Sequence, residues 1–125
     1  GYRDYDMANA EYALCWGVDP VCSFRQVSQY TSIFDKSLER GMKIATVDPK
    51  YSNTAAKSYA WLPVIPGEDD ALALAMAHEI LVTGGWSREF VGDFSDGENR
   101  FIAGEEVNPD TFSEAHTHGV VQWWN

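Results

Sequence analysis

Hydrophobic residues gather in three short runs in the first half of the chain, and each run is closed by turn-forming Gly, Asp or Pro. The runs cover Tyr12–Trp16, Lys43–Val47 and residues 61–65. Short continuous apolar runs bounded by turn residues are typical of strands that are buried on both faces of a parallel sheet. Pro63 lies inside the third run and cannot donate to a sheet ladder, which predicts that this strand lies near an edge or is irregular.

Between and after these runs, apolar positions recur every three or four residues, as on one face of a helix. This spacing predicts a helix over residues 24–40, capped by Ser23 at its start and Gly41 at its end. The Ala- and Leu-rich residues 71–83 predict a second long helix, and residues 52–57 and 87–94 predict shorter ones. Alternating strands and helices predict an α/β fold, here a Rossmann-like three-layer domain with a mostly parallel sheet flanked by helices.

After Ser95 the periodicity ends, and Gly, Asn, Asp and Pro accumulate. We therefore assign residues 1–94 to an α/β domain and residues 95–125 to an irregular C-terminal extension. Trp123 and Trp124 would normally pack against other protein. They predict that the chain is a piece cut from a larger protein.

Charge and composition exclude several classes of function. The 125 residues include 9 basic and 19 acidic side chains, a formal net charge of −10, which disfavours nucleic acid and anionic membrane surfaces as partners. No apolar run approaches the ~20 residues of a membrane span, and the first residues lack a signal-peptide pattern. The spacing of Cys15 and Cys22 fits neither a redox pair nor a zinc site, so we expect two free thiols.

The strand ends carry the candidate chemistry, because ligands of open α/β sheets bind beyond the carboxyl ends of the strands. Gly17 would let a phosphate or sugar approach the backbone, and a helix starting near Ser23 would supply amide donors. Asp48 is suited to ribose hydroxyls, and Asp69 to the adjacent N1–H and N2 donors of guanine. A turn or a helix cap explains each acid taken singly, but together they predict a shared nucleotide site.

Other patterns leave alternatives open. The absence of G-x-G-x-x-G disfavours an ordinary NAD site. His116 and His118, with Glu114 and Asp110 nearby, could hold the metal of a small hydrolase, although surface histidines are the commoner explanation. A free-standing nucleotide-binding or interaction domain without enzyme activity is the other alternative.

Four ordered motifs carry a resemblance to a known family. Residues 13–20, 41–50, 54–55 and 61–75 resemble the molybdopterin oxidoreductases, the dimethyl sulfoxide reductase family of molybdenum and tungsten enzymes. The resemblance extends in order from about Asn9 to Phe94. Residues 117–125 are most similar to family members such as acetylene hydratase, pyrogallol transhydroxylase and catechol dehydroxylases.

The resemblance implies that this domain holds the guanosine end of one molybdopterin guanine dinucleotide. The chain matches three loops of the family, and the resemblance implies that their residues bind the cofactor, with Asp48 on ribose and Asp69 on guanine. These residues are Trp16, Gly17, Asp19 and Ser23 in the first loop, Val47, Asp48, Pro49 and Lys50 in the second, and Gly67, Glu68 and Asp69 in the third. Glu68 departs from the usual Thr or Ser, and Asp19 from the more frequent Asn.

The resemblance also implies what lies elsewhere. The molybdenum or tungsten and its ligating residue, and a four-cysteine 4Fe–4S cluster, would belong to other parts of a larger oxidoreductase. This chain would carry no catalytic or metal-binding residue, and the isolated domain would have no cofactor bound to it. Its partners would be the remaining domains of the catalytic subunit and an iron–sulfur electron-transfer subunit. The substrate and the compartment, prokaryotic cytoplasm or cell exterior, stay open.

Overall fold

Two compact units divide the chain, Gly1–Asp69 and Asp70–Asn125. The structure, a computed structural model, describes residues 5–124, with side-chain burial for residues 5–123. The sequence predicts a boundary at residue 94 between two parts of a larger protein, and this boundary stays a prediction.

The first unit is a three-stranded parallel sheet with helical connections, so the predicted α/β class is confirmed. The strands lie in the order β1-β2-β3, and both neighbouring pairs are parallel. The first two apolar runs form strands with the predicted bounds. The elements are β1 (Tyr12–Trp16), α1 (Val27–Glu39), β2 (Lys43–Val47), α2 (Asn53–Lys57) and β3 (Ala60–Leu62).

The core of this unit lies where α1 packs against β1 and β2. Its buried members are Ala13, Cys15, Tyr30, Phe34, Met42 and Ile44. On β1, burial alternates along the strand, and Tyr12 and Leu14 are 56% and 47% exposed. The expectation that β1 is buried on both faces is therefore wrong for this chain, because its apolar contacts lie on one face only.

Helix α1 ends as predicted but begins later. At its end, Gly41 adopts φ +103°, and the amides of Gly41 and Met42 donate to Leu38 and Ser37, which is a Schellman motif. At its start the N-cap is Gln26, without a side-chain cap. The predicted Ser23 cap is wrong, because the Ser23 amide and hydroxyl instead donate to the Asp19 carbonyl.

Strand β3 is short and lies at the sheet edge, as Pro63 predicts. It ends at Leu62, one residue before that proline, which cannot continue the ladder. Helix α2 precedes it and is capped by the Ser52 hydroxyl, which accepts a hydrogen bond from the Ala55 amide at 3.2 Å. These two short elements complete the carboxyl edge of the sheet.

The second unit contains helices and a two-stranded antiparallel sheet. An aromatic core includes Trp86, Phe94, Phe101 and Phe112. Residues 95–125, expected to be irregular, contain a strand and a helix, and the helix predicted over 87–94 ends early because its last residues join the sheet. The elements are α3 (Asp69–Val82, which starts at the last residue of the first unit), α4 (Arg88–Val91), β4 (Gly92–Phe94), β5 (Phe112–Glu114) and α5 (Val120–Trp124).

Within residues 5–124, no helix combines the length and apolar character that crossing a membrane requires.

Candidate functional site

The carboxyl ends of the three parallel strands lie side by side and bring the three predicted loops to one edge. The register pairs Trp16 with Val47 and Val47 with Leu62. Beyond the strands, the Gly17 amide donates to the Val47 carbonyl at 2.8 Å, and the Asp48 amide to the Leu62 carbonyl at 3.2 Å. The loops after β1, β2 and β3 therefore start next to one another.

The loop after β1 is anchored by an aspartate. Asp19 Oδ1 accepts hydrogen bonds from the Thr54 amide at 3.1 Å and the Thr54 hydroxyl at 2.6 Å. Thr54 is fully buried at the start of α2, so the bond ties the first loop to the segment after β2. Gly17, at φ +60°, has no heavy atom within 4 Å of the position a Cβ would take, so a ligand could approach its backbone.

The loop after β2 contains a turn built on Asp48. Asp48 Oδ1 accepts from the Lys50 amide at 2.8 Å, which is the Asx turn that explains this residue without a ligand. The Trp61 indole donates to the Asp48 carbonyl at 2.8 Å and fixes the loop from β3. Tyr51 packs edge-on against Trp61, with the ring centroids 4.9 Å apart.

The loop after β3 contacts the first loop through two side chains. The Trp16 indole donates to Asp69 Oδ1 at 2.6 Å, between residues 53 positions apart. Gly67, at φ +96°, again leaves open space where a Cβ would lie. The Glu68 amide donates to the Ile65 carbonyl at 2.9 Å and closes a turn before Asp69.

A buried polar network supports these loops and is invisible in the sequence motifs. The Thr46 and Ser58 hydroxyls lie 2.6 Å apart, and the Ser58 hydroxyl donates to the Thr54 carbonyl at 2.8 Å. Thr46 and Thr54 are both fully buried. The network links β2 to both ends of α2 and, through Thr54, to Asp19.

The predicted site residues differ in how they are placed. Backbone pairing or side-chain bonds bring Trp16, Gly17, Asp19, Val47, Asp48 and Asp69 to the carboxyl edge, and Pro49, Lys50, Gly67 and Glu68 lie in the same loops. Val47 is fully buried, and its carbonyl already accepts from the Gly17 amide. Ser23 is exposed in the turn before α1, where its amide is already engaged by Asp19.

Sequence reasoning missed the residues that hold the loops rather than face a ligand. Trp61 is visible only as part of a strand, and its contact with the Asp48 carbonyl joins residues 13 positions apart. Thr54 belongs to one of the motifs that carry the resemblance, but its contact with Asp19 is not visible there. Its partner Asp19 cannot be read from spacing.

The two thiols are free, as predicted. Burial, and secondarily the negative charge of Asp19, raises the pKa of the Cys15 thiol to about 11. This thiol stays protonated at neutral pH and is a poor nucleophile. Cys15 therefore acts as a small core residue.

The histidine pair lies apart from these loops in sequence and has a structural environment. The His116 amide donates to the Phe90 carbonyl at 2.9 Å, and its ring lies 6.0 Å from the Phe90 ring. Glu114 accepts from the amides of Val121 and Gln122 at the start of α5. Across residues 5–124, no three His, Cys, Asp or Glu side chains are grouped so that they could hold a metal ion.

Comparison with known proteins agrees with the α/β fold and identifies the family. The family model of molybdopterin oxidoreductases matches residues 2–121. The chain is 50% identical over 125 residues to the arsenate respiratory reductase molybdopterin-containing subunit ArrA of Chrysiogenes arsenatis, covering 100% of this chain and 15% of that subunit. The corresponding subunit of Shewanella sp. (strain ANA-3) is 49% identical over 125 residues, covering 100% of this chain and 14% of that protein.

A solved structure gives the same indication. Acetylene hydratase from Pelobacter acetylenicus matches with a TM-score of 0.59 and 30% identity, over 70% of this chain and 12% of that one. The chain thus spans about one seventh of the curated relatives that it matches along its whole length.

Proposed function

The chain belongs to the molybdopterin oxidoreductase family, and we propose that it holds the guanosine end of one molybdopterin guanine dinucleotide within a larger catalytic subunit. The observation that carries this proposal is the meeting of three strand-end loops at one sheet edge, with Trp16 of the first hydrogen-bonded to Asp69 of the third. Nucleotides bind at such edges in open α/β sheets.

The residues at this edge fit the chemistry of the nucleotide. The Asp48 carboxylate can accept from ribose hydroxyls, and the Asp69 carboxylate from the N1–H and N2 donors of guanine. Gly17 and Gly67 leave their backbone open to a ligand. Lys50 would offset phosphate charge, which the acids of the site cannot do.

The amide donors predicted near Ser23 for the phosphate groups have to come from elsewhere in the site. The amides of Cys22 and Ser23 donate to the Asp19 carbonyl, and α1 starts only at Val27. The pyrophosphate would therefore be met by the backbone around Gly17 and by Lys50, rather than by the start of α1.

When bound, the molybdopterin cofactor supplies the redox chemistry of the whole subunit, and the residues of this chain bind and orient its nucleotide end. We assign the metal-ligating residue, the 4Fe–4S cluster and the contact with an electron-transfer subunit to other parts of the protein. Relatives about half identical are arsenate respiratory reductase subunits, so arsenate is the substrate that we propose for the complete subunit.

A free-standing nucleotide-binding domain is the alternative. It is disfavoured because the whole chain aligns with 15% of a much larger catalytic subunit. A metal-dependent hydrolase is disfavoured because the described residues around His116 and His118 include no third grouped ligand.

Calorimetric titration of the 125-residue chain with GDP and ADP tests the proposal. We expect GDP to bind more tightly than ADP, and Asp69→Ala to weaken GDP binding by roughly 10- to 100-fold, the effect of losing hydrogen bonds to a charged group. Asp70→Ala is the matched control, because it removes the neighbouring exposed acid. Equal binding of GDP and ADP, or equal effects of both variants, would contradict the proposal.

A further inference from the structure

We infer that Trp16 is a positioning residue for Asp69, and that its indole N–H sets the selectivity of the site for guanine over hypoxanthine. This inference rests on the proposed function and deepens it. The resemblance places Trp16 among residues that contact the nucleotide, whereas the structure shows its polar atom already bonded to Asp69.

The hydrogen bond is short and joins a side chain at the end of a paired strand to an exposed carboxylate. The distance from Trp16 Nε1 to Asp69 Oδ1 is 2.6 Å. Trp16 is the last residue of β1, where pairing with Val47 fixes its backbone, and its side chain is partly buried. Asp69 is exposed at the first position of α3, so its carboxylate would otherwise rotate among several orientations.

The hydrogen bond between Trp16 and Asp69 can coexist with a bound base. Indole has one donor and no acceptor, and Trp16 uses that donor on Asp69. A carboxylate has two oxygens with about four acceptor positions, so Asp69 keeps capacity for the two donors of guanine. The indole N–H of Trp16 therefore acts on the base only through Asp69 and does not contact the base itself.

Orientation matters because the two donors of guanine are parallel and fixed in one plane. A carboxylate held in that plane can accept from N1–H and from the N2 amine together, as in other bidentate pairs. A freely rotating carboxylate would often satisfy only one donor. Hypoxanthine has N1–H but no N2 amine, so it gains less from the fixed orientation.

Trp61 supplies a matched control within the same sheet edge. Its indole also donates to a strand-end loop, at 2.8 Å, but to the backbone carbonyl of Asp48. Trp61→Phe and Trp16→Phe thus remove the same chemical group from two loops. Only Trp16→Phe removes it from the residue that we assign to the base.

The experiment measures dissociation constants of GMP and IMP for the 125-residue chain and three variants, with unfolding midpoints recorded alongside. We expect the wild type to prefer GMP by about tenfold or more, the effect of one hydrogen bond to a charged acceptor. Trp16→Phe should reduce that preference several-fold, Asp69→Ala should abolish it, and Trp61→Phe should leave it unchanged. If Trp16 had only a structural role, Trp16→Phe would weaken the binding of GMP and of IMP equally.

The failures of the two claims are distinguishable. If the wild type prefers GMP and Asp69→Ala abolishes that preference, an unchanged preference in folded Trp16→Phe overturns the role of Trp16 alone. If the wild type binds neither nucleotide or prefers neither, the proposed guanine site itself fails.

A second measurement covers the case in which Trp16→Phe does not fold. In the wild type, hydrogen exchange of the Trp16 indole N–H should be slowed, and Asp69→Ala should remove that protection while leaving the Trp61 indole unchanged. Equal exchange of the Trp16 indole in wild type and Asp69→Ala would overturn the inference.

Discussion

Asp19 and Thr54 are joined by two hydrogen bonds that converge on one oxygen, because the amide and the hydroxyl of Thr54 both donate to Asp19 Oδ1, at 3.1 and 2.6 Å. The contact spans 35 positions and ties the loop after β1 to the start of α2. What this position requires is an acceptor at Oδ1. A carboxylate and the side-chain amide oxygen of Asn both meet that requirement, so Asp19 keeps this contact although the family more often has Asn at the position.

Removing that acceptor should destabilise the first unit. Asp19→Ala leaves the buried donors of Thr54 unsatisfied, which should lower the free energy of unfolding by about 1–3 kcal/mol. Asp19→Asn keeps an oxygen at this position and should cost clearly less. Urea unfolding of both variants measures the difference, and an equal loss in the two would show that the acceptor is not what matters.

The two cysteines should react at very different rates. Cys22 is exposed, whereas Cys15 is buried and its pKa is raised to about 11. At pH 8 a thiol reagent such as 5,5′-dithiobis(2-nitrobenzoate) should modify Cys22 in the native protein and Cys15 only after unfolding. Cys22→Ser identifies the reactive group, and rapid native labelling in that variant would refute the burial of Cys15.

In the second unit, Gly92 permits the close approach of β4 and β5. A Cβ at this position would lie 2.0 Å from the Ser113 carbonyl oxygen, and the residue has φ +116°. Gly92→Ala should therefore disrupt the strand pair and lower the free energy of unfolding by more than ~3 kcal/mol. The Trp86 indole donates to the Gly92 carbonyl at 3.0 Å, so tryptophan fluorescence should report the change.

Gly97→Ala is the control for backbone strain. Gly97 also has positive φ, +75°, but no heavy atom lies within 4 Å of an added Cβ. Gly97→Ala should lower the free energy of unfolding by only ~1–2 kcal/mol, the cost of a non-glycine residue in the left-handed conformation. Similar losses in the two variants would show that the contact with Ser113 is unimportant.

Acid should loosen the start of α5 through Glu114. Burial alone would raise the pKa of Glu114, but hydrogen bonds from the Thr117 hydroxyl and the Val121, Gln122 and Gly119 amides outweigh it and lower the pKa below its ordinary value. A carboxyl whose pKa is lower in the folded state stabilises the fold above its unfolded pKa. That contribution is lost as the pH falls through the folded pKa.

Hydrogen exchange of the Val121 and Gln122 amides checks this prediction. Their protection in the wild type should fall as the pH is lowered below the range in which an ordinary glutamate carboxyl protonates, because the pKa of Glu114 is lower than that of a free glutamate. Glu114→Gln should show weaker protection with little change over the same range. Protection that is independent of pH in the wild type would contradict the role of Glu114.

Local sequence signals predicted much of the fold. Strands β1 and β2 have the predicted bounds because continuous apolar runs meet strong turn residues at both places. The start of α1 could not be read, because Asp19 binds the amides of Cys22 and Ser23 and delays the helix to Val27. Strand β5 was missed because it has three residues and depends on pairing with distant β4.

The candidate site, like the fold, was predicted from the sequence only in part. Gly17, Asp48 and Asp69 were predicted because each follows a recognisable strand and carries a suitable side chain or backbone. The bonds that arrange the loops, such as that between Trp16 and Asp69, join residues far apart in sequence. They depend on the parallel register, which no local pattern encodes.

Binding of a guanosine nucleotide at this edge can be tested by mapping amide and indole chemical shifts of the 125-residue chain during a titration with GDP. We predict saturable shifts at Gly17, Asp48, Lys50, Gly67 and Asp69. The Trp16 indole should shift with them. Shifts that are absent at saturating GDP, or that cluster at His116 and His118, would contradict it.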